Sequence, residues 1–138
     1  MPDGMSVIEG FYAAFKKSDW KALSASFAPD CVTVTPGGPV NVEQHEQMIK
    51  SFKTAMPDAH MVVRNTVHAG EWIAVEGHFK GKHEKDLVGP TGTIAPKGKT
   101  LELPYADFFR IRGGKIVEHR VYWDQMAMLQ QLGAMPGA

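Results

Sequence analysis

The chain has 138 residues, enough for one domain with a real core and too few for two ordinary ones. Hydrophobic residues make up 43% and charged residues 22%, and Lys+Arg and Asp+Glu balance at 15 each, so no basic field recruits nucleic acid or anionic lipid. No stretch approaches the roughly 20 apolar residues of a membrane span, the first residues lack a signal-peptide pattern, and the single Cys31 excludes an internal disulfide; the expectation is a small cytoplasmic protein of one domain, residues 1–138.

The first half reads as helices. From Ser6, the residues Ile8, Phe11, Tyr12 and Phe15 follow the three-and-four spacing of one helical face. A second, short helix starts after Asp19, a plausible N-cap, carries Trp20, Leu23 and Phe27 on its apolar side, and ends before Pro29. "CVTVTP" is a short strand, and "GGP" then forces a turn. Asn41 opens a third helix, with Gln44 in capping-box position and Met48, Ile49, Phe52 and Met56 as its stripe, until Pro57. The period then becomes two. "HMVVRNTVHAG" and "EWIAVEGHFKGKH" are strands about a turn at Ala69–Gly70. The Gly-, Pro- and Thr-rich stretch up to Lys99 reads as a loop able to gate a pocket. "TLELPYADFFRIR" and "KIVEHRVYWD" form a last hairpin, and "QMAMLQQL" is a helix stopped by Gly133. Helices first and an antiparallel sheet after imply an α+β domain with the helices on one sheet face.

The last hairpin carries the chemistry. A two-residue loop at Gly113–Gly114 would pair Arg112 with Lys115, and a three-residue loop would pair Ile111 with Lys115. A one-residue shift exchanges the two faces, so the choice matters. The three-residue loop sets Asp107 opposite His119 and Tyr105 opposite Val121. It gathers Tyr105, Asp107, Phe109, Ile111, Val117, His119, Val121 and Trp123 on the more apolar face, which should meet the helices. Phe108, Arg110, Arg112, Glu118, Arg120 and Tyr122 take the other. A carboxylate facing an imidazole in an apolar wall can exchange a proton with a substrate, or can be a structural pair that satisfies itself.

"FAPDC", "AMPD", "GKH" and the closing run "FRIRGGKIVEHRVYWDQMAMLQQLG" resemble the SnoaL-like polyketide cyclases. These belong to the nuclear-transport-factor-2-like superfamily, which includes ketosteroid isomerase and scytalone dehydratase. The resemblance implies a cone: a curved antiparallel sheet wrapped round N-terminal helices, an apolar pocket, and a homodimer. It also implies intramolecular aldol closure by an acid/base pair on these strands, without metal or cofactor. The family histidine of the "G-x-H" step matches His83, and that of the "EH" step matches His119. The cyclase aspartate after "HR" is replaced here by Val121, while Asp107 stands where the cyclase pattern has a histidine.

The remaining candidates each have two readings. Tyr12 and Tyr105 could hydrogen-bond a substrate oxygen or serve as aromatic core. His83 ends a strand at the expected rim, to touch ligand or to cap the sheet. His45, beside Met48 and Phe52, reads as structural. Trp123 and Phe109 are expected in the pocket wall. No histidine, cysteine or carboxylate run has metal-ligand spacing. The preferred reading is cofactor-independent acid/base catalysis on a hydrophobic carbonyl compound by Asp107 and His119. The alternative is a binding protein for a small apolar ligand, which Val121 favours. A third reading, a dimerising scaffold, requires large side chains to fill the pocket.

Overall fold

A computed structural model describes residues 4–89 and 92–135. Three helices come first, α1 (Gly4–Lys17), α2 (Trp20–Ala25) and, after two short strands, α3 (Val42–Ala55). Each starts or packs as its sequence dictates. The side chain of Asp19 caps α2 through the amide of Ala22, and Asn41 and Gln44 form a reciprocal capping box on α3. Val7, Ile8, Phe11, Ala14 and Phe15 make the buried face of α1.

Six strands form the main sheet: β1 (Thr33–Thr35), β2 (Gly38–Val40), β3 (His60–Ala69), β4 (Trp72–Lys82), β7 (Thr100–Arg112) and β8 (Lys115–Trp123). Their order is β2-β1-β8-β7-β4-β3. All neighbours are antiparallel except β1 and β8, which run parallel and set Thr33 beside His119. The fold is the expected α+β one, an antiparallel-rich curved sheet with helices over it. Buried residues of α1, α2, β4, β7 and β8 belong to one apolar cluster, to which Met128 of α4 (Gln125–Gln131) and Leu132 also contribute.

Two stretches depart from the sequence reading. "GGP" does not merely turn; Gly38–Val40 pairs back on β1 as β2. The stretch read as a loop holds a two-stranded hairpin, β5 (Leu87–Gly89) and β6 (Gly92–Ile94). Leu87 is buried and Ile94 packs on the core, and a ladder this short leaves no periodicity to detect. None of the described hairpin residues lines the cavity beneath the helices.

The last hairpin takes the two-residue turn, with Arg112 opposite Lys115. Gly113 and Gly114 have φ of 59° and 76°, the left-handed pair that a tight turn between twisted strands requires. The register then slips at Arg110/Ile111, and Ile116 rather than Val117 takes the buried position. Beyond that bulge Phe109 faces His119, Asp107 faces Val121, and Tyr105 faces Trp123. The expected direct Asp107–His119 pairing is therefore corrected to a diagonal one. The bulge restores the parity that the shorter turn would have reversed, so both side chains still point to the helices.

Candidate active site

A cavity of about 90 Å³ lies between the inner face of β7 and β8 and the helices α1 and α3. Its wall is nearly all apolar and includes Phe11, Phe15, Ile49, Phe52, Phe79, Leu103 and Trp123. It is not filled, which removes the premise of the scaffold reading. Asp107, 4% exposed, is its carboxylate.

Asp107 reaches the cavity with both oxygens engaged. The Tyr12 hydroxyl on α1 donates to Oδ2 at 2.6 Å. Nε2 of His119 bonds Oδ1 at 2.8 Å. Tyr105 in turn donates to the Tyr12 hydroxyl at 3.1 Å. Burial, then the negative charge of Asp107, pushes the Tyr12 phenol far above its ordinary range, so it stays a donor. Burial raises Tyr105 in the same direction. The protons of both tyrosines are thus committed inside the protein, and either could meet a ligand oxygen only by releasing its present acceptor.

His119 is fixed from three sides. Its Nδ1 lies 3.0 Å from Oγ1 of Thr33, across the parallel β1–β8 contact. Its ring stacks on Phe109 at 4.6 Å and 8°. A threonine hydroxyl both donates and accepts. A neutral His119 with its proton on Nε2 accepts from Thr33; a charged one donates to it. The ring can therefore gain or lose a proton without orphaning either nitrogen.

The structure sorts the other candidates. Tyr12, Tyr105, Val121 and Trp123 line the cavity. Phe109 does not; it is fully buried, stacked on His119 as a support. His83 is not at the cavity rim either. It is fully buried off the cavity, with no hydrogen-bond partner for either ring nitrogen among the described residues. His45, read from sequence as structural, belongs to the cavity wall and packs against His119 with ring centroids 5.3 Å apart. Burial, then the nearby His119, lowers its pKa to about 3. Thr33 had no signal in the sequence at all. Among the described residues, no cluster of three or more His, Cys, Asp or Glu could hold a metal ion.

The family model of the SnoaL-like polyketide cyclases matches residues 6–132. This chain belongs to that family. Three solved structures superimpose over almost their full lengths. IdmH of Streptomyces antibioticus, a candidate polyketide cyclase, is 29% identical, with 94% of this chain and 97% of that one covered at a TM-score of 0.80. A candidate SnoaL-like polyketide cyclase of Jannaschia sp. CCS1 is 17% identical, with 96% and 92% covered at a TM-score of 0.81. AclR of Streptomyces galilaeus, a candidate hydroxylase, is 20% identical, with 96% of each chain covered at a TM-score of 0.82. No curated protein matches the sequence. In this SnoaL-like chain, no helix among the described residues is long and apolar enough to cross a membrane.

Proposed function

We propose that the protein catalyses a cofactor-independent acid/base reaction on a hydrophobic carbonyl compound, a cyclisation, isomerisation or dehydration, with Asp107 as the proton acceptor and donor. One observation carries this reading. Val121 occupies the place of the cyclase aspartate, and its direct partner across the strands is Asp107. Directly opposed residues stand about 5 Å apart, so the lost carboxylate is replaced on the same patch of wall from the neighbouring strand. In the step envisaged, a C–H bond next to the ligand carbonyl breaks and its proton passes to a carboxylate oxygen of Asp107. The electron pair moves to the carbonyl oxygen as an enolate, and the proton is later returned. His119 positions the carboxylate and answers its change of charge.

The test is exchange of the α-protons of acetophenone in D2O, followed by NMR. The native protein accelerates exchange, and Asp107→Asn lowers the rate on the order of a hundredfold or more. An Asp107→Asn variant as fast as native would overturn the assignment. No exchange at all, with a co-purified ligand recovered unchanged in native mass spectrometry, would leave the binding-protein reading instead.

The same reading includes a homodimer formed through the outer sheet face, and a cytoplasmic setting that the lone, buried thiol of Cys31 suits. Support for the dimer lies in the outward row Arg120, Phe108, Ala74 and Val67, consecutive partners across four strands. Phe108 and Val67 are exposed, and Tyr122 packs edge-on against Phe108.

A further inference from the structure

Six side chains of the cavity wall carry strong hydrogen-bonding groups: Tyr12, His45, Tyr105, Asp107, His119 and Trp123. Five are engaged within the protein. Tyr105 donates to Tyr12 and Tyr12 to Asp107; His119 is held by Asp107 and Thr33; the Trp123 indole donates to Gln125 at 2.8 Å. His45 is different. It is 2% exposed, and its Nδ1 is buried without a partner among the described residues. The rings around it are Phe11, Phe27 and His119, with centroids 6.0, 5.3 and 5.3 Å away. An orphaned N–H is rarer and costlier in a protein interior than an under-used acceptor. Leaving the lone pair on the sealed Nδ1 assigns the proton to Nε2, which is not among the buried, unpartnered side-chain atoms.

We propose that His45 is the hydrogen-bond donor of this cavity to its bound molecule, a neutral imidazole whose Nε2–H meets a carbonyl or enolate oxygen. The ligand class rests on the acid/base reading above. The geometry suits it: His45 touches His119, and His119 is bonded to Asp107. A donor for the oxygen, from α3, and an acceptor for the neighbouring C–H proton, from β7, thus line the same cavity with His119 between them, the arrangement that enolisation needs. In that step the C–H proton goes to Asp107 and the charge to the ligand oxygen. His45 keeps its own proton and only shares it in a hydrogen bond. A neutral donor also avoids the desolvation cost of an unpaired charge in an apolar cavity.

Two experiments decide it. Long-range 1H–15N NMR of the native protein reads the His45 tautomer, and the Nε2-protonated form is expected. A ring protonated on Nδ1 would overturn the proposal without any ligand or variant. The second experiment titrates native protein, His45→Phe and His45→Gln with acetophenone, and with cumene, which has the same shape but no oxygen. In His45→Phe, acetophenone binding weakens about tenfold while cumene binding changes less than about twofold, and the amide of His45→Gln restores most of the loss. Equal losses for both probes, or none for acetophenone, would overturn the role of His45 while α-proton exchange dependent on Asp107 leaves the acid/base reading standing. A native protein that binds neither probe overturns both. If His45→Phe does not fold, the tautomer measurement still decides.

Discussion

Thr33 completes the hydrogen bonding of His119. Its hydroxyl is the partner of Nδ1, so Thr33→Val, of nearly the same shape, leaves a buried ring nitrogen unpaired. Denaturant unfolding should show a loss of about 1–2 kcal/mol, and α-proton exchange should slow although no group touching the ligand has changed. His45 gives the molecule an acid sensitivity of its own. The ring ordinarily titrates near 6.5 and is lowered to about 3 by burial and by His119 beside it. The unfolded chain thus binds a proton that the folded one refuses between those values. Stability is full above pH ~6.5 and falls with a slope of about 1.4 kcal/mol per pH unit as pH drops toward ~3. His45→Phe removes that slope, which paired unfolding curves of native and variant at several pH values will show. Strand parity made the inward faces of Asp107 and His119 legible in the sequence. Thr33 and His45 were not legible as site residues. Thr33 lies 86 positions from His119 and meets it only through a parallel strand pairing. The capped helix of His45 was readable, but not which residue of its stripe would border empty space.

At the scale of elements, the last hairpin is the instructive case. Choosing the two-residue turn alone would have put Asp107 and His119 on opposite faces, and choosing the three-residue turn predicted the right faces for the wrong register. A bulge at Arg110/Ile111 reconciles the two, and bulges leave little trace in composition. A second irregularity, at Val63/Asn65 on β3, explains a glycine nearby. A Cβ on Gly77 would sit 2.3 Å from the backbone carbonyl oxygen of Val62 and 3.2 Å from Cε1 of Tyr105. Gly77→Ala must therefore push β3 and β4 apart. A stability loss of about 1–3 kcal/mol is expected in thermal or denaturant unfolding, with a disturbed ring signal for Tyr105, its partner on β7. Gly10→Ala inside α1, where nothing lies within 4 Å, serves as the control and should instead stabilise by up to about 1 kcal/mol.

For the whole molecule, the order of elements, the capped helices and the family resemblance all agree, and the α+β architecture follows from them. The outer sheet face was legible too. Alternation assigned Phe108 and Tyr122 outward, and both are exposed, at 39% and 48%. If the proposed dimer forms there, native protein runs at twice the chain mass in light scattering. Val67→Glu with Phe108→Glu would then return it to the mass of one chain, with the helical content unchanged by circular dichroism. A native protein already at single-chain mass would remove the dimer from the reading.

The cavity's modest size has a consequence for selection among substrates. A dry cavity of about 150 Å³ is enough to take up benzene, and this one measures about 90 Å³. Met48, Ile49, Phe52 and Trp123 are among its half-buried lining residues. On the proposed reading, a multi-ring ligand would set only its leading carbonyl end against Asp107, and its remainder would trail past those side chains toward solvent. Selection would then act on the tip of the molecule and leave the length of its tail free.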